Sequence, residues 1–216
     1  MVEHRGRQEP REGVHPVGWL GDVIHADPRI FEMVRDLLGP DALPRHKIRG
    51  LYPVFPQPKL EPRRHGGMDA HPFQLSCVVY LSDVERDGGE FMVWPGSHRI
   101  MNEAFAGPYA WQLNEQQRKL RKKAEAKGPA VHLTGPAGTV ILWHHRLLHG
   151  PNTNRGPGIR HALVGDFLRS DWQERAGETH DAGMWSGWAI DDRHLSWHRR
   201  LGAFGRRLLC GGAAAR

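Results

Sequence analysis

The sequence has few cysteines and no long apolar run. Cys77 and Cys210 are the only cysteines in 216 residues, which excludes a disulfide-rich scaffold and predicts a reducing, cytoplasmic setting. No eighteen apolar residues occur together, and no apolar stretch follows the polar start of the chain, so we expect neither a membrane span nor a signal peptide. These absences predict a soluble intracellular protein.

Positive charge exceeds negative charge by only six, and its distribution is not that of a nucleic-acid surface. The excess is concentrated at 116–128 and after Arg193, rather than along a groove with aromatic side chains. We therefore expect a solvated basic face, with no nucleic-acid partner and no membrane partner. The sequence leaves the oligomeric state open.

Glycine and proline are abundant, which predicts many turns. The chain contains 26 Gly and 16 Pro, and its length suits one domain with a core of its own. Short apolar runs bounded by these residues predict strands at 48–55, 73–81, 90–94, 131–133, 138–143 and 160–167. We expect a mainly β fold, a jelly roll (double-stranded β-helix) or cupin-like barrel with flanking helices.

Two helices are predicted outside the strands. Apolar residues recur at helical spacing over 28–38, with Asp27 as N-cap and Gly39 as the stop, and the polar segment 111–127 predicts an exposed insertion helix. Taken as one domain over 1–216, the chain divides into a helical lead at 1–46 that is frayed up to about residue 16, a barrel core at 47–170, and a tryptophan-rich C-terminal extension at 171–216.

The strands at 73–81 and 90–94 are close in sequence. A Gly-containing turn at 85–89 separates them, and the second strand is followed by Pro95-Gly-Ser-His98. This arrangement predicts that the two strands form a β-hairpin.

His149 and Arg160 are the first candidates for chemistry, although most of the fifteen histidines must be surface or core residues. His149 follows the apolar run GTVILW, and Arg160 opens the next predicted strand eleven residues later. Neighbouring strands of a barrel could direct this imidazole and this guanidinium into the same opening. Asp69 precedes a predicted strand by a few residues and is also expected at the rim.

Three segments resemble the phytanoyl-CoA dioxygenase family of non-haem iron(II), 2-oxoglutarate-dependent oxygenases. They are YLSDVERDGGEFMVWPGSHR at 80–99, GPAGTVILWHHRLLHGPNTNRG at 135–156 and IRHALVGDF at 159–167. The resemblance implies a jelly roll that holds iron through a His-x-Asp pair and a distant His. It also implies an Arg, eleven residues after the distant His, that binds the far carboxylate of 2-oxoglutarate.

The resemblance assigns a role to individual residues. It makes Asp69 the carboxylate ligand of iron, His149 the distal histidine ligand and Arg160 the 2-oxoglutarate anchor, with weaker cosubstrate roles for Thr153 and Asn154. Two imidazoles and one carboxylate leave three positions on iron(II) open, and the planar fork of an arginine suits a fixed carboxylate.

The first histidine ligand is not at the spacing that the resemblance implies, because position 67 is Gly67. His65 lies four residues before Asp69, and Gly66 and Gly67 would have to bulge to bring it back. His71 lies two residues after Asp69, and such residues face the same way on an extended strand. We take His65 as the first choice and His71 as the alternative. A site with neither histidine, which binds iron weakly or not at all, is the third possibility.

Three functions follow from these patterns. The first is a dioxygenase that uses iron(II), 2-oxoglutarate and O2 to hydroxylate or otherwise oxidise a small organic molecule. The second is a catalytically inactive jelly-roll binding protein that has lost the first iron ligand, and the third is a zinc- or manganese-dependent cupin isomerase that needs neither oxygen nor Arg160. A helical zinc pair within 144–149 is not favoured, because a catalytic Glu is missing and the preceding run is strand-like.

Overall fold

The computed structural model describes residues 18–44, 48–57, 65–66, 75–102 and 115–171. The helices are α1 (Gly18–His25), α2 (Pro28–Leu38), α3 (Ser97–Asn102) and α4 (Glu115–Glu125). The strands are β1 (Ala42–Pro44), β2 (Gly50–Val54), β3 (His65–Gly66), β4 (Leu75–Tyr80), β5 (Phe91–Val93), β6 (Val131–Leu133), β7 (Val140–His144), β8 (Leu148–Pro151) and β9 (Arg160–Arg169). No helix in these ranges has the length and apolar character needed to cross a membrane.

The strands form two antiparallel sheets. In the larger sheet, β1 and β2 both pair with β9, which pairs with β4, which in turn pairs with β7. In the smaller sheet the order is β3, β8, β5, β6. This two-sheet arrangement with flanking helices confirms the predicted mainly β, jelly-roll class.

The predicted hairpin between β4 and β5 is wrong, because the two strands belong to different sheets. Both edges of β4 are occupied, by β7 on one side and β9 on the other. The chain after β4 crosses to the smaller sheet, where β5 pairs with β6 and β8. The turn at 85–89 therefore connects two layers instead of two neighbouring strands.

Helix α2 begins and ends where the sequence predicts. The Asp27 carboxylate accepts a hydrogen bond from the Arg29 backbone N–H at 2.9 Å, which caps the first turn. Gly39 has a φ of 92°, in the left-handed region that favours glycine, and ends the helix. The buried face of the helix consists of Ile30, Val34 and Leu38.

Apolar side chains form three buried clusters that define the layers. One lies between α1, α2 and the larger sheet, and includes Leu75, Cys77 and Leu163. The second, which we call the interior cluster, lies between the two sheets and consists of Val78, Tyr80, Val84, Phe91, Trp143, Ala162 and Val164. The third joins α3 and α4 to the outer face of the smaller sheet. Strand β4 is buried on both faces because it contributes to the first two clusters.

Helix α4 lies within the predicted insertion helix. It is basic and largely exposed, and its buried residues Leu120 and Ala124 pack in the third cluster. Residues 1–17, 103–114 and 172–216 lie outside the described residues, and with them the predicted frayed start and the tryptophan-rich extension.

Candidate active site

His149 lies in the middle of β8 with its ring in the interior of the barrel. The residue is 3% exposed, and its ring stacks on Phe91 with centroids 5.3 Å apart and lies 5.1 Å from the ring of Trp143. The Nδ1 atom is 2.7 Å from the carbonyl oxygen of Leu147. Because a carbonyl can only accept, Nδ1 carries the proton, and the lone pair of a neutral ring is on Nε2. This is the tautomer that a metal-binding histidine needs.

His65 lies beside His149 in the smaller sheet. Strand β3 pairs with β8 in the register that sets His65 opposite His149 and Gly66 opposite Leu148. The backbone therefore brings together two residues that are 84 positions apart in sequence.

Asp69 and His71, together with Gly67, lie outside the described residues. Within the described ranges no group of three His, Cys, Asp or Glu side chains is arranged to hold a metal ion. A metal bound by His149 would thus need at least one ligand from outside the described ranges.

Arg160 opens β9, as predicted, and its guanidinium is buried. The residue is 6% exposed; Nε donates to the Gly89 carbonyl at 2.8 Å and Nη1 donates to the Tyr52 carbonyl at 3.3 Å. The guanidinium carbon lies 5.8 Å from the centre of the Tyr80 ring. Burial lowers the pKa of Arg160, against the opposing effects of Tyr80 and Glu90, but an arginine remains charged.

Arg160 has no carboxylate within ion-pair distance in the part of the chain that the structure describes. Two carbonyl groups satisfy part of the guanidinium and hold it in place, but they do not neutralise it. A buried cation without a direct ion-pair partner costs folding free energy, so this position favours an anionic ligand.

Gly89 brings its carbonyl to Arg160 in a conformation that requires glycine. Its φ is 80°, and an added Cβ would lie 3.0 Å from Cγ1 of Val54 and 3.2 Å from Cβ of Asn154. The sequence GG at 88–89 thus allows the close approach of three chain segments around Arg160.

Thr153 and Asn154 are both buried in the loop that leads from β8 to Arg160. The Asn154 side-chain amide donates to the Val54 carbonyl at 2.8 Å and to the Gly158 carbonyl at 2.7 Å, and its oxygen accepts from the Gly156 N–H at 2.9 Å. Asn154 therefore holds the loop in shape. A direct cosubstrate contact by Asn154 or Thr153 stays a prediction.

A buried acid beside Arg160 was not recognised from the sequence. Glu90 is fully buried; its Oε1 accepts from the Asn152 amide at 2.8 Å and lies 2.5 Å from Nδ1 of His132. The only feature of the sequence that could have indicated this buried acid is a charged residue directly before the apolar run FMVW, which is an unusual pattern. Glu90 directly follows Gly89, so this network fixes the start of β5 next to Arg160.

Trp143 ends the apolar run GTVILW, and its indole N–H is its most informative feature. The residue is 4% exposed and belongs to the interior cluster. Its Nε1 atom is enclosed and has no hydrogen-bond acceptor in the described part of the chain. A buried donor without an acceptor costs about 1–3 kcal/mol.

The other candidate histidines lie outside the barrel interior. His144 ends β7, its Nδ1 accepts from the Arg146 N–H at 3.0 Å, and its ring stacks on His145 with centroids 4.4 Å apart. His98 lies in the short helix α3, which was not predicted. The chain from His144 to His149 is a strand, a turn and a second strand, so the helical zinc pair is excluded.

Comparisons with known proteins agree with this arrangement. The sequence model of the phytanoyl-CoA dioxygenase (PhyH) family matches residues 21–162. The ectoine dioxygenase of Bordetella bronchiseptica is 28% identical over 159 residues, which cover 65% of this chain and 50% of that protein. The peroxisomal phytanoyl-CoA dioxygenase of Mus musculus is 26% identical over 156 residues, 68% of this chain and 45% of that protein. The chain thus spans about half the length of these relatives.

Solved structures show the same fold. The crystal structure of EctD from S. alaskensis with 2-oxoglutarate and 5-hydroxyectoine matches 72% of this chain and 54% of that chain, with 25% identity and a TM-score of 0.56. A second structure of that protein, with bound Fe, matches with a TM-score of 0.55, 25% identity, and coverage of 69% and 53%. From the family match over 21–162, we conclude that the chain belongs to the phytanoyl-CoA dioxygenase family.

Proposed function

We propose that this protein is a dioxygenase that uses iron(II), 2-oxoglutarate and O2 to oxidise a small organic molecule. The observation that carries the proposal is Arg160, a buried cation with no carboxylate partner in the described residues, at the position to which the sequence resemblance assigns the 2-oxoglutarate anchor. The small-molecule substrate is an inference from the relatives, one of which was solved with 2-oxoglutarate and 5-hydroxyectoine. The cytoplasmic setting stays a prediction from the two cysteines.

The residues around β8 fit an iron ion. His149 has the tautomer with its lone pair on Nε2, the atom that would bind a metal, and His65 is its cross-strand partner. Directly opposed residues of antiparallel strands have Cβ atoms about 5 Å apart on one face of the sheet. That geometry supports His65 over His71 as the first ligand, and we propose Asp69 as the carboxylate ligand.

Arg160 fits the far carboxylate of 2-oxoglutarate. Its contacts with the Gly89 and Tyr52 carbonyls fix the plane of the guanidinium before any ligand binds. A fixed planar fork loses little side-chain freedom when it forms a bidentate pair with a carboxylate. Arg160 thereby orients the cosubstrate along the barrel, with its keto end toward His149.

When bound, iron(II) and 2-oxoglutarate supply the oxidising chemistry, and the protein supplies the geometry and a dry interior. Phe91 and Trp143 of the interior cluster pack against the ring of His149. These apolar walls exclude water from the reacting atoms, which protects a reactive centre from side reactions.

The proposal is tested by anaerobic addition of iron(II) and 2-oxoglutarate to the metal-free full-length protein. We expect the weak visible charge-transfer absorption of an iron-bound keto acid, saturating at one iron per chain, and release of succinate after oxygen is admitted. Iron binding without this absorption would argue against the dioxygenase. A protein that binds 2-oxoglutarate but not iron would instead be an inactive binding protein, and turnover of a substrate without oxygen would indicate a cupin isomerase.

Single-residue variants test the ligand set in the same assay. His149→Ala should abolish iron binding and keto-acid turnover, because it removes the proposed distal ligand. His65→Ala should lower iron occupancy strongly and His71→Ala should not, with metal content measured by mass spectrometry. The reverse result would assign the first ligand to His71, and full occupancy in both variants would contradict either assignment.

A further inference from the structure

The indole N–H of Trp143 is a buried hydrogen-bond donor that the fold leaves unsatisfied. Its nitrogen is enclosed by surrounding atoms and meets no acceptor among the described residues. Proteins rarely bury a donor in this way without a structural or functional reason. The ring itself packs against Phe91 at 4.8 Å, so its apolar part is well accommodated.

Trp143 belongs to a row of inward-facing residues that crosses the larger sheet. The register pairs Trp143 of β7 with Ser76 of β4, and Ser76 with Asp166 of β9. Side chains alternate along a strand, and Leu75 and Cys77 on either side of Ser76 pack on the helices. The row therefore faces the barrel interior, as the membership of Trp143 in the interior cluster also indicates.

The other two members of the row, Ser76 and Asp166, have hydrogen-bond partners other than Trp143. The Ser76 hydroxyl donates to one Asp166 oxygen at 2.5 Å, and Nε of Arg49 donates to the other at 2.7 Å. Trp143 takes no part in these contacts. The described residues thus supply no acceptor for its N–H, and an oxygen of a ligand in the interior would satisfy it.

Trp143 is level with His149, which faces it from the smaller sheet. Their ring centroids are 5.1 Å apart, and Phe91 contacts both rings. Arg160 lies toward the opposite end of the interior, next to Tyr80, which is four positions from Ser76 along β4. The interior thus offers a cation at one end and an unsatisfied neutral donor at the other, beside the candidate iron ligand.

We propose that the Trp143 N–H donates a hydrogen bond to an oxygen of 2-oxoglutarate at its keto end, while Arg160 binds the far carboxylate. This inference rests on the proposed function, because it takes 2-oxoglutarate as the ligand. A dicarboxylate has an acceptor at each end, which matches the two donors. Trp143 would then be a residue that binds the cosubstrate directly, at the end that carries the keto group.

The test observes the indole N–H itself. Full-length protein labelled with 15N-tryptophan is loaded with Zn(II), a redox-inert substitute for iron(II), and titrated with 2-oxoglutarate. The Trp143 signal is assigned by its loss in Trp143→Phe and independently in Trp143→Tyr. We expect the Trp143 indole proton to move downfield on binding, as hydrogen-bonded protons do, whereas Trp94, buried on the outer face of the smaller sheet, stays in place.

Calorimetry supplies the second measurement. Trp143→Phe keeps an aromatic ring but removes the donor, and we expect its dissociation constant for 2-oxoglutarate to rise about 10-fold, as for one hydrogen bond to a charged group. Trp94→Phe is the matched control and should bind as the wild type does. Circular dichroism confirms that each variant is folded.

The outcomes separate this inference from the proposed function. If the wild type binds 2-oxoglutarate but the Trp143 indole signal does not move, Trp143 is not a donor to the cosubstrate, and the dioxygenase proposal stands. If the wild type does not bind 2-oxoglutarate at all, both proposals are wrong. If the Trp143 N–H donates to the organic substrate instead of to 2-oxoglutarate, 2-oxoglutarate will bind without moving the indole signal.

Discussion

Replacement of Arg160 by glutamine should weaken 2-oxoglutarate binding by at least about 30-fold. Arg160 is 6% exposed and has no carboxylate within ion-pair distance in the described residues, so the ligand carboxylate would pair with a desolvated cation. Truncating one partner of a buried charged pair costs about 2–5 kcal/mol, and the lower limit of about 2 kcal/mol corresponds to about 30-fold in a dissociation constant. The dissociation constant of Arg160→Lys for 2-oxoglutarate should lie between those of the wild type and Arg160→Gln, because lysine keeps the charge but loses the planar fork.

The assay is isothermal titration of 2-oxoglutarate into protein loaded with Zn(II), with metal content measured in parallel. Arg155→Gln is the matched control, since it removes an exposed guanidinium from the same loop. We expect the metal content of Arg160→Gln to equal that of the wild type, because Arg160 is not a proposed ligand. An unchanged dissociation constant in folded Arg160→Gln protein would refute the reasoning and would mean that another residue holds the carboxylate.

Three further predictions concern stability and reactivity. Gly89→Ala should lower the melting temperature more than Gly96→Ala, because both glycines have a φ near 80° but only at Gly89 would a Cβ lie 3.0 Å from Val54; equal losses would contradict the steric account. Burial lowers the pKa of His25 below its ordinary value of 6.5. As pH falls through 6.5, the unfolded chain therefore takes up a proton on His25 before the folded protein does. The stability contributed by neutral His25 is thus present above pH 6.5 and is lost as pH falls. His25→Phe should therefore flatten the pH dependence of the unfolding free energy between about pH 7.5 and 5.5, and an unchanged slope would be evidence against this assignment. Burial raises the pKa of the Cys77 thiol to about 12, so mass spectrometry should find Cys77 unalkylated at about pH 8 until the protein unfolds, and rapid labelling of the folded protein would disagree.

The local elements of the fold follow from the sequence, but the strand pairing does not. Helix α2 has a cap, a periodic apolar face and a glycine stop, all within thirteen residues. The partners of β4 come from β7 and β9, about 65 and 85 residues later in the chain. The hairpin prediction failed because closeness in sequence was taken as closeness in the sheet, whereas both edges of β4 are filled by these distant strands. The short helix α3 was missed because six residues contain too little periodicity.

For the candidate site too, some features could be predicted from the sequence and others could not. The spacing of His149 and Arg160 was sufficient to single them out, and the structure buries both. The unsatisfied N–H of Trp143 and the network of Glu90 could not be predicted, because they depend on which groups lie nearby in space. The relation of His65 to His149 likewise depends on strand register, which Gly66 and Gly67 leave undetermined in the sequence.

The two backbone contacts of Arg160 join parts of the chain that are far apart. Its guanidinium connects β9 to Gly89, 71 residues away, and to Tyr52, 108 residues away. The anion-binding position therefore exists only after these three segments have come together, so a dicarboxylate that binds there stabilises the assembled state by mass action. Occupancy by the proposed cosubstrate would raise the melting temperature even without metal, and the yield of folded protein would depend on the supply of small dicarboxylates around it.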